Sequence, residues 1–151
     1  MKIDNLNHIN IRTMKMEETK DWYCDVLGLR PGFRPPFDEH GYWLYSGDTA
    51  IVHLSYSEEG KPPRTVPDAM GDGLDHIGLF ATGYHDMVRQ LDSLSIDFEN
   101  RLAGGDRIAQ IFLYDPNGVL VELGYEVATE GIDISRWTRM MPRYVDEESV
   151  K

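Results

Sequence analysis

A chain of 151 residues is long enough for one compact domain or for two small halves that share a core. Its composition, 41% hydrophobic and 27% charged, is that of an ordinary globular protein, and no apolar run approaches the ~20 residues that cross a bilayer. A formal net charge of −11 disfavours nucleic acid and anionic membranes as partners, and mildly favours a cationic ligand or a metal ion. Cys24 is the one cysteine and the N-terminal stretch lacks the apolar core of a signal peptide, so the expected compartment is the reducing cytoplasm.

In chain order, "LNHINI" (residues 6–11) reads as a first strand. "MEETKDWYCDVLGL" follows, with Thr19, Trp22, Tyr23, Val26 and Leu27 near helical spacing and Gly28 where a helix end favours positive φ. "YWLYSGD" and "TAIVHLSY" are strand-like and joined by a Ser-Gly-Asp turn. A charged, Pro- and Gly-rich stretch, residues 57–73, reads as a surface linker. Then the opening recurs: "LDHIGL" (74–79) repeats the Leu, His and Ile of the first strand 68 positions on. "GYHDMVRQLDSLSI" places Tyr84, Met87, Val88, Leu91 and Leu94 on one helical stripe, and "RIAQIFLY" and "VLVELGY" flank the turn "DPNG". Each half therefore reads strand, helix, then two or three strands, and a βαβββ unit used twice is the simplest description. The predicted organisation is a first module over 1–56, a linker over 57–73, a second module over 74–125 and an extension over 126–151. The extension carries Trp137, Met140, Met141 and Tyr144 after a helix start expected at Asp133 or Ser135, and must pack on this domain, over a site or on a partner subunit.

Side chains two apart on a strand share a face. Ile9 and Ile11 then oppose His8, Asn10 and Arg12; Val52 and Leu54 oppose Ile51, His53 and Ser55; Ile77 and Leu79 oppose His76, Gly78 and Phe80; Val119, Val121 and Leu123 oppose Leu120, Glu122 and Gly124. In each strand one face is aliphatic and the other carries one metal-capable residue. His8 and His53 stand 45 positions apart, His76 and Glu122 46, so the four occupy two pairs of equivalent places. If the halves are structural copies, three imidazoles and one carboxylate can converge on one divalent ion. A lone strand histidine is more often packed or superficial than a ligand, whereas a Glu inside a Val/Leu run is rare unless paired or coordinated. His53 stands open between ligation and an acid–base role. His40 and His85 fall off the pattern and read as surface residues.

The paired βαβββ halves, "HINIRT" with "DWYCDVLGL", the strand "DHIGLFA" and the closing "DPNGVLVEL" resemble the vicinal oxygen chelate superfamily over about residues 3–125. That superfamily includes glyoxalase I, bleomycin- and fosfomycin-resistance proteins, methylmalonyl-CoA epimerase and extradiol dioxygenases. The resemblance implies an α+β fold of two modules forming an open, curved mixed sheet around a central metal cleft, completed in a homodimer. It implies a divalent ion (Fe, Mn, Ni or Zn) that chelates two adjacent oxygens of a small-molecule substrate. The positions matching the glyoxalase-like ligands are His8, His53, His76 and Glu122, with His53 where such relatives usually carry Glu. Glu122 or His53 is the candidate proton carrier, and Arg12 matches a position that pairs with a substrate carboxylate. Trp43, in the aromatic stretch that includes Phe37, Tyr42 and Tyr45, is a candidate pocket wall.

Members are told apart by neighbours. Glutathione recognition in glyoxalase I uses an Asn at the position held here by Ser57. Extradiol dioxygenases match His8, His76 and Glu122 as an open facial triad and carry an acid–base histidine on a strand comparable to that of His53. Their substrate-contacting tyrosine, however, is Phe112 here, which has no hydroxyl to donate. Bleomycin-type binders lack the ligand set altogether. The expectation is a metal-dependent lyase or isomerase of glyoxalase type, with Fe(II)-dependent dioxygenation as the alternative and a non-enzymatic antibiotic or small-molecule binder third.

Overall fold

A computed structural model of the chain describes residues 2, 5–58, 74–135 and 137. The order of elements is β1 (Ile9–Thr13), α1 (Met16–Asp25), β2 (Arg30–Pro31), β3 (Gly41–Ser46) and β4 (Thr49–Tyr56), then β5 (His76–Phe80), α2 (Tyr84–Leu94), β6 (Glu99–Ala103), β7 (Ile108–Tyr114) and β8 (Leu120–Glu126), closed by the short α3 (Val127–Glu130). The strands form two four-stranded sheets, β1-β4-β3-β2 and β5-β8-β7-β6, the same order used twice. The chain is thus α+β with two βαβββ modules, as the repeat predicts. The third strand that the sequence leaves unassigned in each half is β2 and β6. The predicted linker falls at 57–73, of which 59–73 lie outside the described residues.

The chain divides into two compact units, Met1–His76 with Tyr114–Leu120, and Ile77–Leu113 with Val121–Lys151. In the first unit β1 runs parallel to β4, with Ile9 opposite Val52 and Ile11 opposite Leu54, and β3 runs antiparallel to β4. Ile11, Val52, Leu54 and Leu44 form one buried cluster with Met16 and Tyr23 of α1 and with Leu29. The aliphatic face of the strands is therefore the face that meets the helix, and its burial is the driving force for this half. Gly28, at φ +68°, ends α1 in the left-handed region that a Cβ disfavours. Gly41 brings β3 so close to β4 that a Cβ there would lie 2.2 Å from the Leu54 carbonyl oxygen.

The "DPNG" turn belongs to this first unit, and a polar network explains why. Asp115, 5% exposed, accepts the backbone N–H of Asn117 and of Val119, both at 2.8 Å, and the Tyr23 hydroxyl at 3.3 Å. Thr13 Oγ1 donates to Asn117 Oδ1 at 2.7 Å, and Asn117 Nδ2 donates to Thr19 Oγ1 at 3.0 Å. Burial, then the neighbouring Asp115 carboxylate, push the Tyr23 phenol far up, so it stays a donor. One buried carboxylate thereby closes the turn and satisfies a core tyrosine.

In the second unit Ile77, Tyr84, Leu91, Ile111, Leu113, Val121, Leu123 and Tyr125 are buried. The extension packs on its own chain as far as it is described: the Glu130 carboxylate accepts the backbone N–H of Gly83 and of Tyr84, both at 3.0 Å, at the start of α2. An anion there satisfies orphan donors and complements the helix dipole. The Trp137 ring lies 5.8 Å from that of Tyr84. The helix expected to start at Asp133 or Ser135 would run through residue 136 and residues 138–151, which lie outside the described residues. Ahead of it lies the short α3, and Asp133 accepts the Ser135 backbone N–H at 3.0 Å.

Asp115→Ala strips partners from two backbone donors and a buried phenol at once, each loss costing about 1–3 kcal/mol. Urea unfolding should show a stability loss of about 3 kcal/mol or more; a loss below about 1 kcal/mol would mean the turn is held by something else.

Candidate functional site

In the first unit, strand register builds the site. Parallel pairing sets Asn10 opposite His53, and antiparallel pairing sets Trp43 opposite the same residue. With Val52 and Leu54 committed to the core, His53 must face the other way. Its imidazole lies between two rings: His8 at 3.9 Å centroid to centroid and 16° between planes, and Trp43 at 4.1 Å and 5°. Phe37 extends the row at 6.3 Å from Trp43. The sandwich leaves His53 only 8% exposed. Burial first, then the adjacent His8, hold its pKa below the ordinary 6.5, against a hydrogen bond to the Ala50 backbone and with a further lowering contribution from Arg34. His53 is therefore a neutral imidazole at pH 7, the form that can ligate a metal or accept a proton.

His8 lies just before β1, and its Nδ1 meets Asn7 Oδ1 at 2.7 Å. Asn7, His8, Trp43, Tyr45, Asp48, Thr49, Ala50 and His53 line an open pocket of about 500 Å³, a size that suits a small ligand. Arg12 is exposed further along β1, beside the pair in which Ser55 Oγ donates to Asn10 Oδ1 at 2.8 Å.

His76 opens β5, and its Nδ1 meets Asp75 Oδ1 at 2.6 Å. In the second unit Glu122 projects from β8 between the buried Val121 and Leu123 and accepts a hydrogen bond from Gln110 Nε2 at 2.5 Å. Gly78, Leu79, Phe80, Ile108, Glu122 and Gly124 line a pocket of about 170 Å³, in which the Glu122 carboxylate is the one charged group among the described residues. Phe112 is buried, with the Arg101 guanidinium 4.4 Å from its ring centroid.

Of the residues singled out from sequence, the structure stacks His8 and His53 together with Trp43. Among the described residues no group of three or more His, Cys, Asp or Glu side chains gathers as a metal-binding cluster. The chemistry of the donors nevertheless fits a divalent ion. His53 is neutral, and a neutral His76 that donates from Nδ1 to Asp75 would have its lone pair on Nε2. His40 and His85 stand apart, His40 3.8 Å from Glu17 and His85 against Tyr84. Sequence reasoning passed over Asn7, Asp75 and Gln110. The first two carried a readable signal, because an oxygen-bearing side chain precedes the histidine in both echoing stretches.

A family model described as the Glyoxalase/Bleomycin resistance protein/Dioxygenase superfamily matches residues 5–123. The chain is 27% identical over 126 residues to the Arabidopsis thaliana protein named Glyoxylase I 4, covering 82% of this chain and 71% of that one. A glyoxalase/dioxygenase from Nostoc punctiforme superposes with a TM-score of 0.62 at 17% identity, over 81% of this chain and 90% of that one. A lactoylglutathione lyase from Agrobacterium tumefaciens does so with a TM-score of 0.60 at 15% identity, over 83% and 96%. No helix among the described residues is long and apolar enough to cross a membrane.

The depressed pKa of His53 has a thermodynamic consequence in metal-free protein. The unfolded chain takes up this proton near pH 6.5 and the folded chain only below it. The contribution to stability is therefore complete above the unfolded value and lost as pH falls through the folded one. Urea unfolding at pH 7.5 and 5.5 should show a smaller acid-side loss in His53→Gln than in the wild type; equal losses would place His53 outside the buried stack.

Proposed function

We propose, from the premise that this chain belongs to the Glyoxalase/Bleomycin resistance protein/Dioxygenase superfamily, that it is a divalent-metal enzyme acting on a small substrate with adjacent oxygens. Its chemistry is of the lyase or isomerase type. The observation that carries the reading is the stack of a neutral His53 against His8 on the wall of an open pocket. His8, His53, His76 and Glu122 are the proposed ligand set, and the native ion is one of Fe, Mn, Ni or Zn. When bound, such an ion supplies Lewis-acid polarisation of the two substrate oxygens.

The chain's own residues do the rest. Glu122 accepts or returns a proton between adjacent carbons, with Gln110 fixing the orientation of its carboxylate. If His53 is not held by the ion, its neutral imidazole is the second proton carrier. Trp43 keeps His53 in place by stacking and lines the pocket. Arg12 offers a guanidinium to a substrate carboxylate. Phe112, with the Arg101 guanidinium over its ring, is with Trp43 the proposed apolar contact for the substrate. The enzyme works in the cytoplasm as a homodimer.

The neutral, stacked state of His53 also favours a second reading, Fe(II)-dependent dioxygenation, in which His8, His76 and Glu122 hold the ion and His53 moves protons. Elemental analysis of purified protein should find one divalent ion per chain, lost in His76→Ala and in Glu122→Gln. His53→Ala separates its two roles, because an acid–base group leaves metal content unchanged and a ligand does not. Consumption of O₂ with catechols after anaerobic loading with Fe(II) selects the dioxygenase. Turnover of a 2-oxoaldehyde–thiol adduct in oxygen-free buffer selects the lyase. A wild-type chain with no ion overturns both.

A further inference from the structure

Two exposed residues repeat an arrangement that strand geometry does not require. Successive side chains on a strand point to opposite faces. Yet the side chain before each echoing histidine turns back onto its ring: Asn7 Oδ1 meets His8 Nδ1 at 2.7 Å, and Asp75 Oδ1 meets His76 Nδ1 at 2.6 Å. Both contacts sit where the strand begins, since Asn7 and His8 precede β1, Asp75 precedes β5, and His76 is its first residue. The backbone there is not yet pleated, and adjacent side chains can meet. The two contacts link the same atoms of the imidazole in both halves of the chain.

We propose that Asn7 and Asp75 are positioning residues that hold His8 and His76 in the Nδ1–H tautomer and so present Nε2 as the donor atom toward a divalent ion. The inference rests on the metal reading given above, and adds to it two residues that touch neither ion nor substrate. An imidazole that donates from one nitrogen has its lone pair on the other, so an oxygen acceptor at Nδ1 chooses the ligating atom and fixes the ring plane. The halves differ in strength. The amide oxygen of Asn7 accepts as a neutral dipole, whereas Asp75 brings a full negative charge, which makes His76 the more electron-rich donor. Exposed hydrogen bonds of this kind add little to folding, so their loss is read at the ion and leaves the melting temperature in place.

Two measurements on the full-length chain test this. Long-range ¹H–¹⁵N correlation of metal-free, ¹⁵N-histidine-labelled protein at pH 8 reports the tautomer of each ring. His8 and His76 are expected as Nδ1–H. Asn7→Ala and Asp75→Ala should each return their own histidine to Nε2–H, while Asp75→Asn, which keeps an oxygen acceptor, retains Nδ1–H. Wild-type rings found as Nε2–H overturn the proposal. Calorimetric titration with Zn²⁺ gives the second readout. Asp75→Ala should bind about 10- to 100-fold more weakly than wild type, the range for losing such a partner. Asn7→Ala should lose less, and Asp75→Asn should fall between Asp75→Ala and wild type. Wild-type affinity in both alanine variants overturns the positioning role alone and leaves the metal reading standing. A wild-type chain that takes up no Zn²⁺ overturns the metal reading, and the role proposed here with it.

Discussion

A β-strand that presses one face onto a helix has its other face decided for it. Val52 and Leu54 are almost fully buried in the first unit's core, and that burial commits His53 to the opposite side of β4. The same alternation sends Val121 and Leu123 inward and leaves Glu122 partly exposed. Slipping either strand by one residue would bury an imidazole or a carboxylate among aliphatics and expose the core, at a cost no local contact repays. The register is fixed by apolar burial, and the chemistry inherits its placement from that.

The period-2 alternation and the 68-residue echo were legible in the sequence because both are local patterns of residue type. They gave the two modules, the strands that carry His53 and His76, and the face of β4 on which His53 lies, whereas His8 falls just before β1. Other features depend on contacts that no local pattern encodes. The His8–His53–Trp43 stack needs the cross-strand pairing of β3 with β4, including the shift of register between Leu44 and Tyr45. The Asp115–Asn117 network joins residues about a hundred positions apart to Thr13, Thr19 and Tyr23. β2 is two residues long with a proline, and β6 reads "ENRLA", so neither has the propensity of a strand and both exist because a neighbour pairs with them. α3 was missed for a related reason. Its four residues are placed by Glu130, whose carboxylate is needed at the start of α2.

The repeat provides equivalent backbones, and the residues on them diverge. The first unit surrounds its histidines with Trp43, Tyr45 and an open pocket, so an imidazole there is desolvated by aromatic faces. The second surrounds Glu122 with Gly78, Gly124, Leu79 and Ile108, a smaller and more apolar lining. Desolvation keeps His53 neutral, whereas Glu122 has a hydrogen-bond donor in Gln110. Two copies of one scaffold thus hold a neutral imidazole in the first unit and a hydrogen-bonded carboxylate in the second, the two groups to which the proposed proton transfer is assigned.

The central claim is that imidazoles from both halves and one carboxylate bind the same ion. X-ray absorption at the metal edge of loaded protein tests it most directly. The account predicts a first shell of nitrogen and oxygen at about 2.0–2.2 Å with the outer-shell scattering of at least two imidazole rings. A shell of oxygen alone, without imidazole scattering, would contradict it.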